Sequence, residues 1–376
     1  MSGSETNRRT AVDFDPAVNL SEQIEVIKNA IIVPFGHGEN YRMARPAGIF
    51  YPDGKVCDIG QCFRSSNRPT TVTPDFPDTA SIQNKISGTT FFGGMAYGHF
   101  GHSLCESTSR LWGLDFVKEK IDNIVFFPKK NIRPRKVIAH LSPILRMFGT
   151  LPDQIAVSQP TQVEKLVIAP QGFGVGDMIP GSPEFRNFAR SRLGENIAAD
   201  SSKHIYISRS QLFRKRGKLL LEDRIERALE EEGYEIFHPQ QHDIDVQIAK
   251  YKGAQSIIST DNSALHLAAF VVPENCKICI IKRRPGDIVD DFVSQLKSFA
   301  NISPTIVEAV QTYWAQDKNR VQMNEVMTLV DFKKLGEILL KNNFVSEWSL
   351  DQPAQADIEN AVRDLETILE NPLFLV

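Results

Sequence analysis

From His204 to Ile281 the chain alternates short apolar runs with amphipathic ones, and this alternation restricts the fold more than any other feature of the sequence. Strand patterns at 204–208, 234–237, 256–259 and 277–281 are separated by helical patterns at 222–232, 246–251 and 264–270, the first of them ended by Gly233. Parallel strands need long crossover connections, usually helices, so the spacing predicts an α/β, Rossmann-like parallel sheet.

At 376 residues the chain is too long for one ordinary core, which predicts a second domain before this one. Strands are expected at 30–33 and 48–51, the latter turning at Asp53-Gly54 into 55–57, and again at 86–92, before a Gly93-Gly94 break. A helix through about Trp112, a strand at 124–127 stopped by Pro128 and a strand at 163–169 complete the pattern. The Gly- and Pro-rich run at 170–184 reads as an interdomain linker. The expected limits are a polar, disordered tail at 1–20, a first domain at 21–175, the Rossmann-like domain at 200–330 and C-terminal helices in 331–376. Two amphipathic patterns there, 331–342 and 357–369, suit helices packed on the outside or against the first domain.

Hydrophobic residues make up 41% and charged residues 24%, with a formal net charge of −3, which argues against disorder and against a nucleic-acid-coating surface. Any anionic ligand must therefore meet a local basic cluster. No run approaches the roughly 20 apolar residues of a membrane span and the amino terminus lacks a signal-peptide core, so a cytoplasmic location is expected. Five cysteines form a single CxxC, Cys276 and Cys279; it overlaps a buried-strand pattern and reads as packing. No P-loop, HExxH or GxSxG motif occurs.

Three constellations could carry chemistry. His102, Glu106 and Arg110 recur at four-residue spacing and so share one face of a helix, with His99 one turn earlier. A carboxylate beside an imidazole can orient it and raise its basicity, which a hydroxyl-activating base requires; a surface salt-bridge ladder has the same spacing. In Ser259-Thr260-Asp261-Asn262-Ser263-Ala264-Leu265-His266, small polar residues join a strand to an apolar helix, where a diphosphate could meet the helix N-terminus. Ordinary capping by Asp261 or Ser263 explains the same pattern, and His266 suits either a ligand contact or an interior position. Ser208-Arg209, with Arg214 further on, follows the first strand of the second half and suits a phosphate clamp, while His238 ends the next strand, where a ribose or base would lie. Asp243-Ile244-Asp245 mimics a metal-binding DxD, but it precedes a helix and reads as N-capping; no metal is expected.

The segments GHSLCESTSRLW, LVIAPQGFG, IYISRS and GYEIFHPQQHDIDVQIAKYKGAQSIISTDNSALHLAAF, in that order, resemble glycosyltransferase family 61, including its bacterial members of capsular polysaccharide biosynthesis. The similarity runs from about Ala30 to about Arg284. It implies a GT-B-like enzyme, two Rossmann-like domains facing across a cleft, with an inverting mechanism and no metal or other cofactor. The donor would be a nucleotide sugar, UDP-linked in the known members, and the acceptor a glycan or a lipid-linked glycan, the latter implying peripheral membrane association. Carried over position by position, the family's His-x-x-x-Glu-x-x-x-Arg falls on His102, Glu106 and Arg110, its Ser-Arg on Ser208 and Arg209, and its donor loop on Asp261, Asn262, Ser263 and His266.

Eukaryotic members tend to read His-Gly-Ala where this chain has Asp261-Asn262-Ser263, so the donor sugar does not transfer. The Asp-x-x-x-x-His-Leu-Ala-Ala pattern is shared with heptosyltransferases. On this reading Glu106, assisted by His102, deprotonates the acceptor hydroxyl, the reverse assignment staying open, and the diphosphate leaves toward Arg209. A non-catalytic nucleotide- or glycan-binding subunit, or a pyruvyltransferase on a similar scaffold, would fit the same residues.

Overall fold

The computed structural model describes residues 19–36, 44–129, 133–212 and 216–376. All but the end of the expected 1–20 tail, and Arg214 of the expected donor site, lie outside them. The chain divides after Glu195 into two compact units, each of mixed α/β structure.

The first unit is built on a six-stranded sheet of β1 (Glu25–Val33), β2 (Gly48–Phe50), β3 (Asn84–Ala96), β4 (Asn123–Pro128), β5 (Asp153–Ala156) and β6 (Thr161–Ile168), in the order β2-β1-β6-β3-β4-β5. Strands β6, β3, β4 and β5 run parallel, and β1 pairs antiparallel with both β6 and β2. The central strands are continuous apolar runs rather than alternating ones because both faces are covered: Phe91, Phe92 and Ile124 through Phe127 are fully buried. The edge strand β5, DQIA, was not expected, since two of its four residues are polar. The helix α1 (Pro134–Arg146), opened by proline at its first position, was likewise not anticipated.

Two sequence expectations change here. The Gly93-Gly94 pair does not end the strand; β3 continues to Ala96 through a register shift between Phe92 and Gly94. Gly94 takes φ +91°, and a Cβ at Gly93 would collide with the Phe126 ring, so the pair is a bulge that only glycine fits. The run at 170–184 is also no linker. Phe173 and Met178 are buried, the Gly172 amide donates to Ser109 O at 2.8 Å, and Ser182 caps α2 (Pro183–Arg192) by accepting the Phe185 amide at 3.2 Å.

The second unit carries five parallel strands, β7 (His204–Ile207), β8 (Glu235–Phe237), β9 (Ser256–Thr260), β10 (Lys277–Ile281) and β11 (Thr305–Val307), in the order β8-β7-β9-β10-β11. This is a doubly wound order, whose direction reverses between β7 and β9. The crossovers include α3 (Glu222–Glu231), α4 (Ile244–Gly253), α5 (Ala264–Val271) and α6 (Ile288–Ala300). An antiparallel sheet of β12 (Val310–Ala315), β13 (Met327–Val330) and β14 (Phe374–Leu375) follows. The C-terminal helices α7 (Phe332–Lys341) and α8 (Gln355–Leu369) belong to this second unit. Phe332, Leu335 and Leu339 join Tyr206, Leu229 and Cys279 in its core, and Leu369 packs with Met327. Among the described residues no helix is long and apolar enough to cross a membrane.

Candidate functional site

In the first unit the segment after β3 is not the regular helix its spacing suggests. A short turn at Phe100–His102 passes into a π-helical turn at Ser103–Ser107 and then a 3₁₀ helix at Leu111–Phe116. Hydroxyls hold this path. Ser103 Oγ donates to Tyr97 O at 2.8 Å, Thr108 Oγ1 to Leu104 O at 2.6 Å and Ser109 Oγ to Glu106 O at 2.8 Å, while Ser107 Oγ accepts the Tyr97 amide at 3.0 Å. The widened turn still brings positions four apart together. His102 Nδ1 lies 2.6 Å from Glu106 Oε2, with 31% of the imidazole exposed but only 2% of the carboxylate.

Arg110 plays a different part from the one its spacing suggests. Its guanidinium donates to Ala169 O and, at 2.7 Å, to Gln61 O, and lies over the Phe92 ring; no hydrogen bond joins it to Glu106. The side chain is buried, and burial lowers its pKa. Gln171 completes the same wall by accepting the Phe63 amide at 3.0 Å and donating to Phe63 O at 2.7 Å. Glu106, Arg110, Tyr97, Cys62, Ser109 and Gln171 thus enclose a recess too narrow for a water molecule, so the outward-facing member of the constellation is His102.

Around His102 the structure gathers residues that sequence reading missed. Arg64 Nη2 lies 3.5 Å from Nδ1 and 3.3 Å from Nε2, nearly equidistant, which places the guanidinium against the ring face rather than in line with either nitrogen. The Tyr97 ring stands 5.4 Å from His102 on another side, and the exposed His99 ring 5.2 Å away. Lys129 Nζ lies over both Tyr97 and Phe35, and burial above all lowers its pKa. Nothing local in the sequence links Arg64 to His102, 38 positions later.

In the second unit the expected residues converge at the carboxyl ends of the strands. Ser208 and Arg209 follow β7 and Asp261-Asn262-Ser263 follow β9, so they flank the point where strand order reverses, where doubly wound sheets hold ligands. His238 follows β8 and is half-buried, with Nδ1 lacking a partner. Much of this set is committed to the protein itself. Asp261 is fully buried and pairs with Arg284 Nε at 2.8 Å and Arg283 Nη2 at 3.3 Å, while also accepting the Arg283 amide at 2.9 Å. Asn262 donates to Ser259 Oγ at 2.7 Å and Thr260 O at 2.8 Å, and accepts the Ala264 amide at 2.9 Å.

His266 Nδ1 lies 2.6 Å from Gln295 Oε1, with its ring 4.6 Å from Phe292, which ties it to α6. Ser208 Oγ donates to Glu226, and Arg209 gives Nε and Nη2 to Gly217 O at 3.1 and 2.9 Å. Burial, then the neighbouring Arg283, lowers the Arg209 pKa to about 9, while Glu222 and Asp261 act in the opposite direction. Ser263 is half-exposed and its hydroxyl makes no hydrogen bond among the described residues. Arg283 and Arg284, which end a visible Lys-Arg-Arg run after β10, were overlooked although they obey the same rule as Arg209.

Asp243 stands at the N-cap of α4 without a side-chain capping bond. Among the described residues no three His, Cys, Asp or Glu side chains gather as a metal site would require. Cys276 and Cys279 are buried, and desolvation pushes the Cys276 thiol up to about 12.

The second unit thus carries cations at the switch point of a doubly wound sheet, and the first unit presents an imidazole held by a buried carboxylate. Residues 100–279, just under half of the chain, match the family model described as Glycosyltransferase 61, which supports assigning the chain to that family of glycosyltransferases. The matched span contains His102, Glu106, Arg110, Ser208, Arg209, His238, Asp261, Asn262, Ser263 and His266, while Arg64, Tyr97, His99, Arg283 and Arg284 lie outside it. No curated protein matches the chain significantly.

Proposed function

We propose that this chain is an inverting, metal-independent glycosyltransferase of GT-B type, moving a sugar from a nucleotide-sugar donor to a hydroxyl of a glycan or glycoconjugate. Assembly of a surface or capsular polysaccharide in the cytoplasm, on a free or lipid-linked acceptor, is the setting it suits. The observation that carries the reading is the His102–Glu106 pair, one partner partly open to solvent and the other buried.

In this scheme His102 is the base. Its Nδ1 is held by Glu106, which leaves Nε2 to take the proton from the acceptor hydroxyl as that oxygen attacks the anomeric carbon. Glu106 fixes the ring and stabilises the imidazolium that forms, as a buried carboxylate does behind a catalytic histidine elsewhere. This reverses the weighting that spacing alone suggests, because a 2%-exposed carboxylate cannot meet a sugar hydroxyl without prior rearrangement. The nucleoside diphosphate is assigned to the second unit, with Arg209, Arg284 and Ser263 in reach of its charge and Asp261 holding the arginines in place. One displacement inverts the anomeric configuration.

The test is a screen of nucleotide sugars by thermal shift, followed by assay of released nucleoside diphosphate with the stabilising donors. His102→Ala is expected to keep the donor-induced shift and lose turnover. Normal turnover in that variant would sink the assignment of the base, and binding without any release of diphosphate in the wild type would favour a non-catalytic role.

A further inference from the structure

Three cations in the first unit lie along a row of aromatic rings that ends at the His102 imidazole, without a matching set of carboxylates. Arg64 lies against the His102 ring, Lys129 over Tyr97 and Phe35, and Arg45 over Phe35 at 5.4 Å. Aromatic faces therefore link them into one continuous array from Arg45 to His102. Each is seated by its backbone: the Arg45 amide donates to Thr70 O at 3.1 Å, the Lys129 amide to Ala96 O at 2.9 Å, and Arg64 O accepts the Val175 amide at 2.9 Å. Among the described residues none of the three forms an ion pair, and the buried Nε of Arg64 has no hydrogen-bond partner. Glu106 is the carboxylate that acts on Lys129, and its Oε2 is already taken by His102.

We propose that Arg45, Arg64 and Lys129 form an anion subsite beside His102, which takes a carboxylate or phosphate carried by the acceptor sugar. The inference rests on the reading of the first unit as the acceptor side. A donor diphosphate does not require these cations, since the second unit has its own in Arg209, Arg283 and Arg284 at the end of its strands. Aromatic walls lower the local dielectric, so charge-assisted bonds to an anion are stronger here than on an open surface. Because Arg64 touches the imidazole itself, the anion and the reacting hydroxyl belong to the same sugar or to adjacent ones. The acceptor class is thus an acidic glycan, a uronate or a sugar phosphate.

Ligand-observed NMR titrations of the full chain with methyl β-D-glucuronide, glucose 6-phosphate and methyl β-D-glucoside test this, with and without UDP. At least one charged probe is expected to bind roughly tenfold or more tighter than the glucoside and to resist displacement by UDP. Which of the two binds separates the carboxylate source from the phosphate source. Arg64→Gln and Lys129→Gln should each weaken the charged probe by roughly tenfold while leaving the glucoside unchanged, and Arg64→Lys should recover part of the loss. Circular dichroism identifies a variant that fails to fold, in which case Arg45→Gln takes its place. Equal binding of charged and neutral probes, displacement by UDP, or wild-type binding in the glutamine variants would overturn the subsite. His102→Ala separates this from the catalytic reading: retained turnover there removes the base, whereas retained binding of the charged probe keeps the subsite.

Discussion

Glu106 Oε2 stands 2.6 Å from His102 Nδ1, and only 2% of the carboxylate side chain is exposed. In the proposed scheme such a carboxylate acts through the imidazole, by fixing tautomer and orientation, rather than by meeting the substrate. Glu106→Gln keeps the shape but not the charge. It is expected to lower kcat by roughly a hundredfold or more with little change in acceptor KM, as loss of a group acting in the transition state does. Steady-state kinetics on a competent donor and acceptor check the split; a change confined to KM would make Glu106 a binding residue.

Arg110 illustrates how spacing can mislead about role. Arg110 is 1% exposed and its guanidinium clips two backbone carbonyls, Ala169 O and Gln61 O, that are far apart in the first unit's sequence. Arg110→Met removes those bonds and leaves two carbonyls short of a donor, a cost of about 2–4 kcal/mol. Urea denaturation of this variant should show that loss. Activity per folded molecule should fall far less than in His102→Ala, whereas full stability with abolished turnover would return Arg110 to the catalytic set.

A second buried arrangement lies in the second unit, beyond the carboxyl ends of β9 and β10. Asp261 has no exposed surface and is held between Arg283 and Arg284, of which Arg283 is itself 2% exposed. Asp261→Asn leaves a buried guanidinium without its counter-charge, and breaking such a pair typically costs about 3–5 kcal/mol. The expected result is a lower denaturation midpoint together with weaker nucleotide binding, because both arginines lose their seat. A variant as stable as wild type but unable to bind nucleotide would mean that Asp261 faces the ligand after all.

The second unit was far more legible than the first. Its strands and helices repeat a simple period and its candidate residues, Arg209, His238 and Asp261, follow strands, so one topological rule predicts where they meet. What local pattern could not reveal is how each side chain spends its hydrogen bonds: Asn262 and Asp261 look like ligand contacts in a string of letters and prove to hold their own loop. In the first unit the obstacle was range. Lys129 reaches Tyr97 only after β3 and β4 pair, Arg64 reaches His102 from a separate segment tied to Val175, and the Gly-rich stretch around Gly172 reads as a linker because its tight approach to Trp112 is a tertiary fact. A Cβ on Gly172 would stand 2.7 Å from Trp112 Nε1, which is why glycine there signals close packing rather than freedom.

That close approach yields its own prediction. Trp112 Nε1 donates to Pro170 O at 3.1 Å, and Gly172 lies against the same ring edge, its amide bonded to Ser109 O. Gly172→Ala must push the indole or the loop aside and is expected to cost about 1–3 kcal/mol as overpacking. Intrinsic tryptophan fluorescence, measured through thermal unfolding in a Trp314→Phe, Trp348→Phe background that leaves Trp112 alone, would report both the altered surroundings and the lower midpoint. An unchanged midpoint would show that the 170–184 segment gives way easily and does not brace the wall behind Glu106.

The last prediction concerns pH and an ion cluster in the second unit away from either constellation. Lys250 Nζ bridges Asp200 at 3.0 Å and Glu235 at 2.8 Å, and Ser202 adds its amide and hydroxyl to the same group. Hydrogen bonds from the Ser202 amide, then Lys250, lower the Asp200 pKa from 3.8 to about 2. A carboxylate whose folded pKa is depressed binds fewer protons folded than unfolded over that interval. Its contribution is therefore complete above the unfolded value and disappears as pH falls from 3.8 through about 2. Asp200→Asn should lower stability at neutral pH by up to about 1 kcal/mol, since the pair is partly exposed and screened. It should also flatten the acid limb of the stability curve below pH 4, so that variant and wild type converge near pH 2, as measured by urea midpoints across that range. Parallel curves with a constant offset would show that Asp200 acts through packing and not through its charge.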